Sequence, residues 1–183
     1  MKRVSSILLI LTLFFAWGSG ALAAEENLLK NPGFETLDAD GLPEGWKRDM
    51  WFWEEGISEL FAVSGPEAYA GKGAICVDNL GANDASFEQT AQVEPDTLYR
   101  LSCMVKVEGC ADDEAGAGIS IKNTFASSES LYETMGAWTR VTLYGVTGED
   151  QTELTVMARV GGYGSLNVGR AWFDEFSLTK AEE

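Results

Sequence analysis

The stretch Tyr99-Arg100-Leu101-Ser102-Cys103-Met104-Val105-Lys106-Val107 decides the fold class. Its odd positions are apolar and its even positions are mixed. A repeat of two places alternate side chains on opposite faces of an extended chain, so this is a half-buried strand. The same reading extends outward to Leu60–Val63, Gly73–Val77, Ser86–Val93, Gly118–Lys122, Trp138–Val146, Glu153–Val160 and Arg170–Thr179. Turn chemistry separates them at Asp40-Gly41, Ser64-Gly65-Pro66, Gly71-Lys72-Gly73, Gly81-Ala82-Asn83-Asp84 and Gly161-Gly162. No segment of the mature chain carries a convincing helical periodicity. Many short strands with regular turns predict an all-β fold, a two-sheet antiparallel β-sandwich of jelly-roll type. Neither a 20–50-residue repeat nor a low-complexity linker divides the chain. One domain over residues 25–181 is expected.

The 183 residues carry 13 Lys+Arg against 29 Asp+Glu, and no His. The missing His removes the commonest general base and metal ligand, and with them Ser-His-Asp and Cys-His nucleophilic sites. The formal charge of −16 argues against nucleic acid and anionic membrane surfaces as partners. Residues 1–23 have the form of a signal peptide. Lys2 and Arg3 precede an apolar run from Ile7 to Trp17, and Ala21-Leu22-Ala23 supplies a small-residue cleavage site. Cleavage after Ala23 leaves 11 basic residues against 29 acids, a charge of −18, and no remaining stretch long enough to span a membrane. A secreted or extracytoplasmic location is expected, on the cell surface or beyond it. There disulfides are permitted. Cys76, Cys103 and Cys110 are odd in number, so at least one thiol has no partner within the chain. Cys76 and Cys103 lie in apolar strand patterns, and a Cys103–Cys110 bridge is left open.

Further motifs bracket the domain. Asn27-Leu28-Leu29-Lys30-Asn31-Pro32-Gly33-Phe34-Glu35 and Gly41-Leu42-Pro43-Glu44-Gly45-Trp46 stand at its start. Ala171-Trp172-Phe173-Asp174-Glu175-Phe176-Ser177-Leu178 stands at its end. Between them come Gly71-Lys72-Gly73-Ala74-Ile75, Phe87-Glu88-Gln89-Thr90 and the loop Val93-Glu94-Pro95-Asp96-Thr97. Asn-Pro-Gly fixes a turn, and Trp46 after Gly45 can bury a large ring at one end of a sandwich. In order and spacing, this set resembles carbohydrate-binding modules of the family 4, 9 and 22 type, which have a galactose-binding-like jelly-roll fold. The resemblance covers almost the whole mature chain.

That resemblance implies a structural calcium ion joining the first strand, a loop and the last strand. Carried over by position, Gly33, Glu35, Gly73 and Asp174 would supply oxygens, some of them from the backbone. Calcium takes such hard oxygen ligands, and a carboxylate in an apolar strand is costly unless it is paired or bonded.

The resemblance also implies a sugar-binding face. A sugar offers hydroxyls at its edges and apolar C–H faces, so its binders combine flat rings with a few polar groups. Trp51 and Trp53 of Asp49-Met50-Trp51-Phe52-Trp53-Glu54-Glu55 are the leading platforms, sharing one face if the run is a strand. Gln89, Arg159 and Tyr163 are further candidates, with Asn83 and Asp84 nearby. The function implied is non-catalytic binding of a neutral polysaccharide or oligosaccharide. An enzyme is disfavoured, because Glu54-Glu55 and Asp112-Asp113-Glu114 are loop acids without a specific pairing. The alternative is an extracytoplasmic structural or interaction domain with no sugar ligand, partnered with a cell-envelope protein.

Overall fold

The computed structural model describes residues 26–182. The signal peptide expected over residues 1–23, and the expected domain start at residue 25, lie outside these. Among the described residues nine strands form two antiparallel sheets. They are β1 (Lys47–Met50), β2 (Ser58–Ser64), β3 (Gly73–Asn83), β4 (Ala85–Gln92), β5 (Leu98–Glu108), β6 (Ala117–Ile121), β7 (Thr139–Val146), β8 (Glu153–Val160) and β9 (Asn167–Lys180). One sheet runs β1-β4-β8-β6 and the other β2-β3-β9-β5-β7. From β3 onward each strand passes to the opposite sheet, so the chain winds around a common core. No helix among the described residues is long and apolar enough to cross a membrane. The expected all-β antiparallel sandwich is observed.

The core follows from the alternation that the sequence carries. Tyr99, Leu101, Cys103, Val105 and Val107 of β5 all point inward and are buried. Phe87, Ala91, Val156, Ala158 and Val160 face them from the four-stranded sheet. On β9 the alternation changes phase. Phe173 and Phe176 are both buried although three residues apart. Between them Glu175 takes a left-handed φ of 51° and the pairing with β5 shifts register. This is a β-bulge, in which one extra residue restores the inward face after Asp174. One end of the sandwich is closed by a ring cluster. Trp46 lies 5.0 Å from Phe34 and 5.0 Å from Phe176, and its indole N–H points at the carbonyls of Lys30 and Asn31.

One detail differs from the sequence reading, and a second that it left open is decided. Gly81-Ala82-Asn83-Asp84 is not a four-residue turn: β3 continues through it to Asn83 with an irregular register, and β4 resumes at Ala85. The three thiols are free. Cys103 lies mid-strand, five residues or roughly 16 Å at the strand rise from the end of β5 at Glu108, and Cys110 lies beyond that end, so no bridge joins them.

Candidate functional site

The outer face of the four-stranded sheet can be read from its register. One row across it is Asp49, Ser86, Arg159 and Gly118. The next is Lys47, Glu88, Met157 and Ser120. In the first row Arg159 is 7% exposed. Its Nε donates to Asp84 Oδ1 at 3.2 Å, its Nη2 donates to Oδ2, and its Nη1 donates to Ser120 Oγ at 3.2 Å. The guanidinium also stacks on Tyr163, 4.6 Å from the ring centre. Such a fork is held in one orientation by carboxylate and ring together.

The aromatic run sits beside this pair because of Asn83. That side chain is fully buried; it accepts from Phe52 N–H at 3.0 Å and donates to the Phe52 carbonyl at 3.0 Å. Trp51 N–H donates to the Asp84 carbonyl at 2.8 Å. The loop after β1 is therefore pinned through its backbone while its rings stay outside. Trp51 is 63% exposed.

Two adjoining hollows, of about 350 and 340 Å3, lie over Asp84, Met157 and Arg159. Trp51 borders both, and Tyr163 and Phe125 line the second. Phe125 is 91% exposed and packs on Tyr163 with ring centres 5.5 Å apart; the Tyr163 hydroxyl reaches the Ala126 carbonyl at 3.3 Å. The result is an open groove bordered by three rings, with a polar floor. Lys122 closes one side. Its Nζ is 2.9 Å from Asp49 Oδ2 and 2.6 Å from Glu88 Oε2. Burial alone would lower this ammonium, but the bonds to Glu88 and Asp49 outweigh it and raise it above its ordinary value.

Among the residues expected to bind ligand, the fold thus gathers Trp51, Arg159 and Tyr163 into one groove. Trp53 is 62% exposed but lines neither hollow. The strand geometry supposed for the three rings is also absent, since β1 ends at Met50. Gln89 is not on the outer face as expected. It is in phase with Phe87 and Ala91, and its amide is spent on Lys30, accepting from N–H at 2.7 Å and donating to C=O at 2.9 Å. Phe125 is the groove ring that the strand patterns did not bring out. Its one sequence signal was a bulky ring in a polar turn, Lys122-Asn123-Thr124-Phe125.

Gly33, Glu35, Gly73 and Asp174 do converge, where the N-terminal segment, the start of β3 and β9 meet. Asp174 is completely buried. Its Oδ2 accepts from Tyr69 and Ala70 N–H at 2.9 and 3.0 Å, and Oδ1 from Glu175 N–H at 2.7 Å. Glu35 Oε1 accepts from Lys72 and Gly73 N–H at 2.8 and 3.2 Å. A Cβ on Gly73 would fall 2.2 Å from the Phe34 carbonyl oxygen, so only glycine fits there. Burial raises Asp174, against its three backbone N–H bonds. The N–H groups of Lys72 and Gly73 lower Glu35. The oxygens are of the hard, anionic kind that calcium takes. Several of their lone pairs are already used by backbone N–H, and the described residues contain no group of three or more His, Cys, Asp or Glu side chains able to hold a metal ion.

No protein-family model and no curated protein matches the chain. Solved structures do resemble it. The module TmCBM61, solved with β-1,4-galactotriose, is similar with a TM-score of 0.61 at 17% identity, over 85% of this chain and 99% of that one. A Stig cyclase from Fischerella sp. TAU is similar with a TM-score of 0.60 at 18% identity, over 85% and 96%. A CBM4 structure is similar with a TM-score of 0.50 at 17% identity, over 83% and 99%. At such identities the likeness is one of fold, and a fold carries more than one function. The chain has the β-sandwich that carbohydrate-binding modules share with at least one enzyme.

Proposed function

We propose that the protein is a non-catalytic carbohydrate-binding module, acting outside the cytoplasm, that holds a neutral polysaccharide or oligosaccharide in the groove over the four-stranded sheet. The observation that carries this reading is the gathering of Trp51, Phe125 and Tyr163 around one hollow that Asp84 and Arg159 also line. Exposed rings on a pinned backbone offer apolar area to C–H faces at small ordering cost. Serine, carboxylate and guanidinium groups offer hydroxyl partners. The groove's charges are paired internally, Arg159 with Asp84 and Lys122 with Asp49 and Glu88, which favours an uncharged ligand. The same pairing engages each groove carboxylate, supporting binding over acid–base work. Assignment to the family 4, 9 and 22 group belongs to this proposal and rests on the bracketing motifs.

Calcium at the Glu35–Asp174 junction is a second part of the proposal. Gly33, Glu35, Gly73 and Asp174 would hold it with help from backbone carbonyls, and it would tie the N-terminal segment to β9. The test of the main reading is a glycan array followed by titration calorimetry. Saturable binding of a neutral glycan, lost in Trp51→Ala and Phe125→Ala, is expected. Binding of a protein ligand only, unaffected by these changes, would favour the cell-envelope interaction domain instead.

A further inference from the structure

The outer face of the four-stranded sheet continues past the groove, but the two parts are separate hollows. The aromatic part is bounded by Asp49, Trp51, Lys122, Phe125, Arg159 and Tyr163. A second hollow of about 170 Å3 lies where the start of β1 meets β4 in the same sheet and is lined by Gly45, Lys47, Glu88, Gln89 and Thr90. Lys122 lines the first and bonds to Glu88, which lines the second. It leaves the chain just after β6, at one edge of the sheet, and its ammonium reaches Glu88 on β4 and Asp49 on β1, at the other edge. To do so it crosses β8 beside Met157, which pairs with Glu88 on one side and Ser120 on the other. Asp49 and Lys122 border the aromatic part and Glu88 the second hollow, so the clasp runs from one to the other.

Resting on the carbohydrate-binding reading above, we infer that the Lys122–Asp49–Glu88 clasp limits the length of glycan the protein holds. The bound segment is a short one, confined to the aromatic side. Three features support this. Every groove ring lies on one side of the clasp. Beyond it the face carries polar groups, such as Thr90 and Thr155 with hydroxyls 2.7 Å apart. Two carboxylates share one ammonium, so moving Lys122 aside for a longer ligand would leave both without their cation. The clasp thus sets a ligand-length preference without touching the rings.

The experiment uses the whole protein and neutral cello-, xylo-, manno- and galacto-oligosaccharide ladders, from disaccharide to hexasaccharide, read by calorimetry. For wild type, affinity should stop rising partway up the ladder that binds. For Lys122→Ala it should go on rising, the longest member gaining about fivefold over the wild-type plateau, the worth of about one added hydrogen bond. Asp49→Asn/Glu88→Gln, which releases Lys122 without removing it, should do the same and guards against a folding defect in the first variant. Equal plateaus in wild type and both variants, or a wild-type affinity that never levels off, would overturn the clasp while leaving sugar binding intact. Failure of wild type to bind any ladder would overturn both readings.

Discussion

Arg159 and Asp84 form a two-point ion pair in the floor of the groove, Nε to Oδ1 at 3.2 Å and Nη2 to Oδ2, with both residues less than a tenth exposed. A pair so placed is costly to assemble and more costly to break, because the survivor is left charged without a partner. Arg159→Met should therefore destabilise the fold by about 3–5 kcal/mol, measured by urea unfolding. Asp84→Asn/Arg159→Gln should recover a large part of that loss. A loss below about 1 kcal/mol for the single change would mean that water, not protein, surrounds the pair. It follows that weakened binding in an Arg159 variant reports on the floor's integrity before it reports on sugar contact.

The exposed rings behave differently. Trp51 and Phe125 project from loops held by backbone bonds, so Trp51→Ala and Phe125→Ala should stay within about 0.5 kcal/mol of wild-type stability. Each should weaken glycan binding by about tenfold or more, a loss of about 1.4 kcal/mol. Trp53→Ala should leave affinity unchanged, since its ring lines neither groove hollow. Gln89→Ala should do the reverse, costing about 1–3 kcal/mol through the unpaired Lys30 backbone groups while sparing affinity. Thermal unfolding and calorimetry on the same four variants separate the two classes, and a Gln89 variant that lost binding at full stability would contradict this division.

These contrasts show what the sequence carries and what it does not. β5 was legible because Tyr99, Leu101, Cys103, Val105 and Val107 bury one face of a strand whose other face differs in polarity. β1 was not, because Lys47-Arg48-Asp49-Met50 is a short edge strand with three charges and no apolar alternation. The bulge at Glu175 hides from a period-two reading, since it puts Phe173 and Phe176 on the same side. Gln89 was in the inward phase all along. Only the Lys30 backbone, 59 positions away in sequence, explains how an amide is tolerated there. Phe125 joins the site through Tyr163, a contact between two loops that no local pattern encodes.

The thiols provide a check on the core. Burial pushes Cys76 up to about 12 and Cys110 up to about 11, and pushes Cys103 well above its ordinary value. Thiolate is the reactive form, so native protein at pH 8 should react slowly with a thiol reagent. Denatured protein should titrate all three rapidly. Cys110, half-buried and outside the strands, should be the first to react in the native state. Fast native labelling of Cys103 would contradict its place in the core.

Asp174 gives the last test, and its sign depends on calcium. Its carboxylate accepts three backbone N–H bonds through both oxygens, an arrangement that an Asn amide cannot copy. Asp174→Asn should cost about 1–3 kcal/mol, the price of a mismatched buried polar group. Without metal, burial raises the folded carboxylate above its ordinary value, so the folded state binds the proton more tightly than the unfolded state. Stability from this group is then greatest in acid and falls as pH rises through the folded pKa, so the wild-type advantage over Asp174→Asn should shrink on going from acid to neutral pH. Calcium reverses this, because it binds the ionised form. With the ion present the advantage should grow with pH, and a chelator should lower the wild-type melting temperature but not that of the variant. Glu35 acts in the opposite sense to metal-free Asp174: lowered by the Lys72 and Gly73 N–H groups, it adds stability above its unfolded pKa and loses it as pH falls through the folded one. Comparing Asp174→Asn with Glu35→Gln by thermal unfolding from pH 3 to 7, with calcium and with chelator, separates the two carboxylates. Identical pH profiles with and without calcium would leave the junction as a set of carboxylate-to-backbone bonds and remove the ion from the proposal.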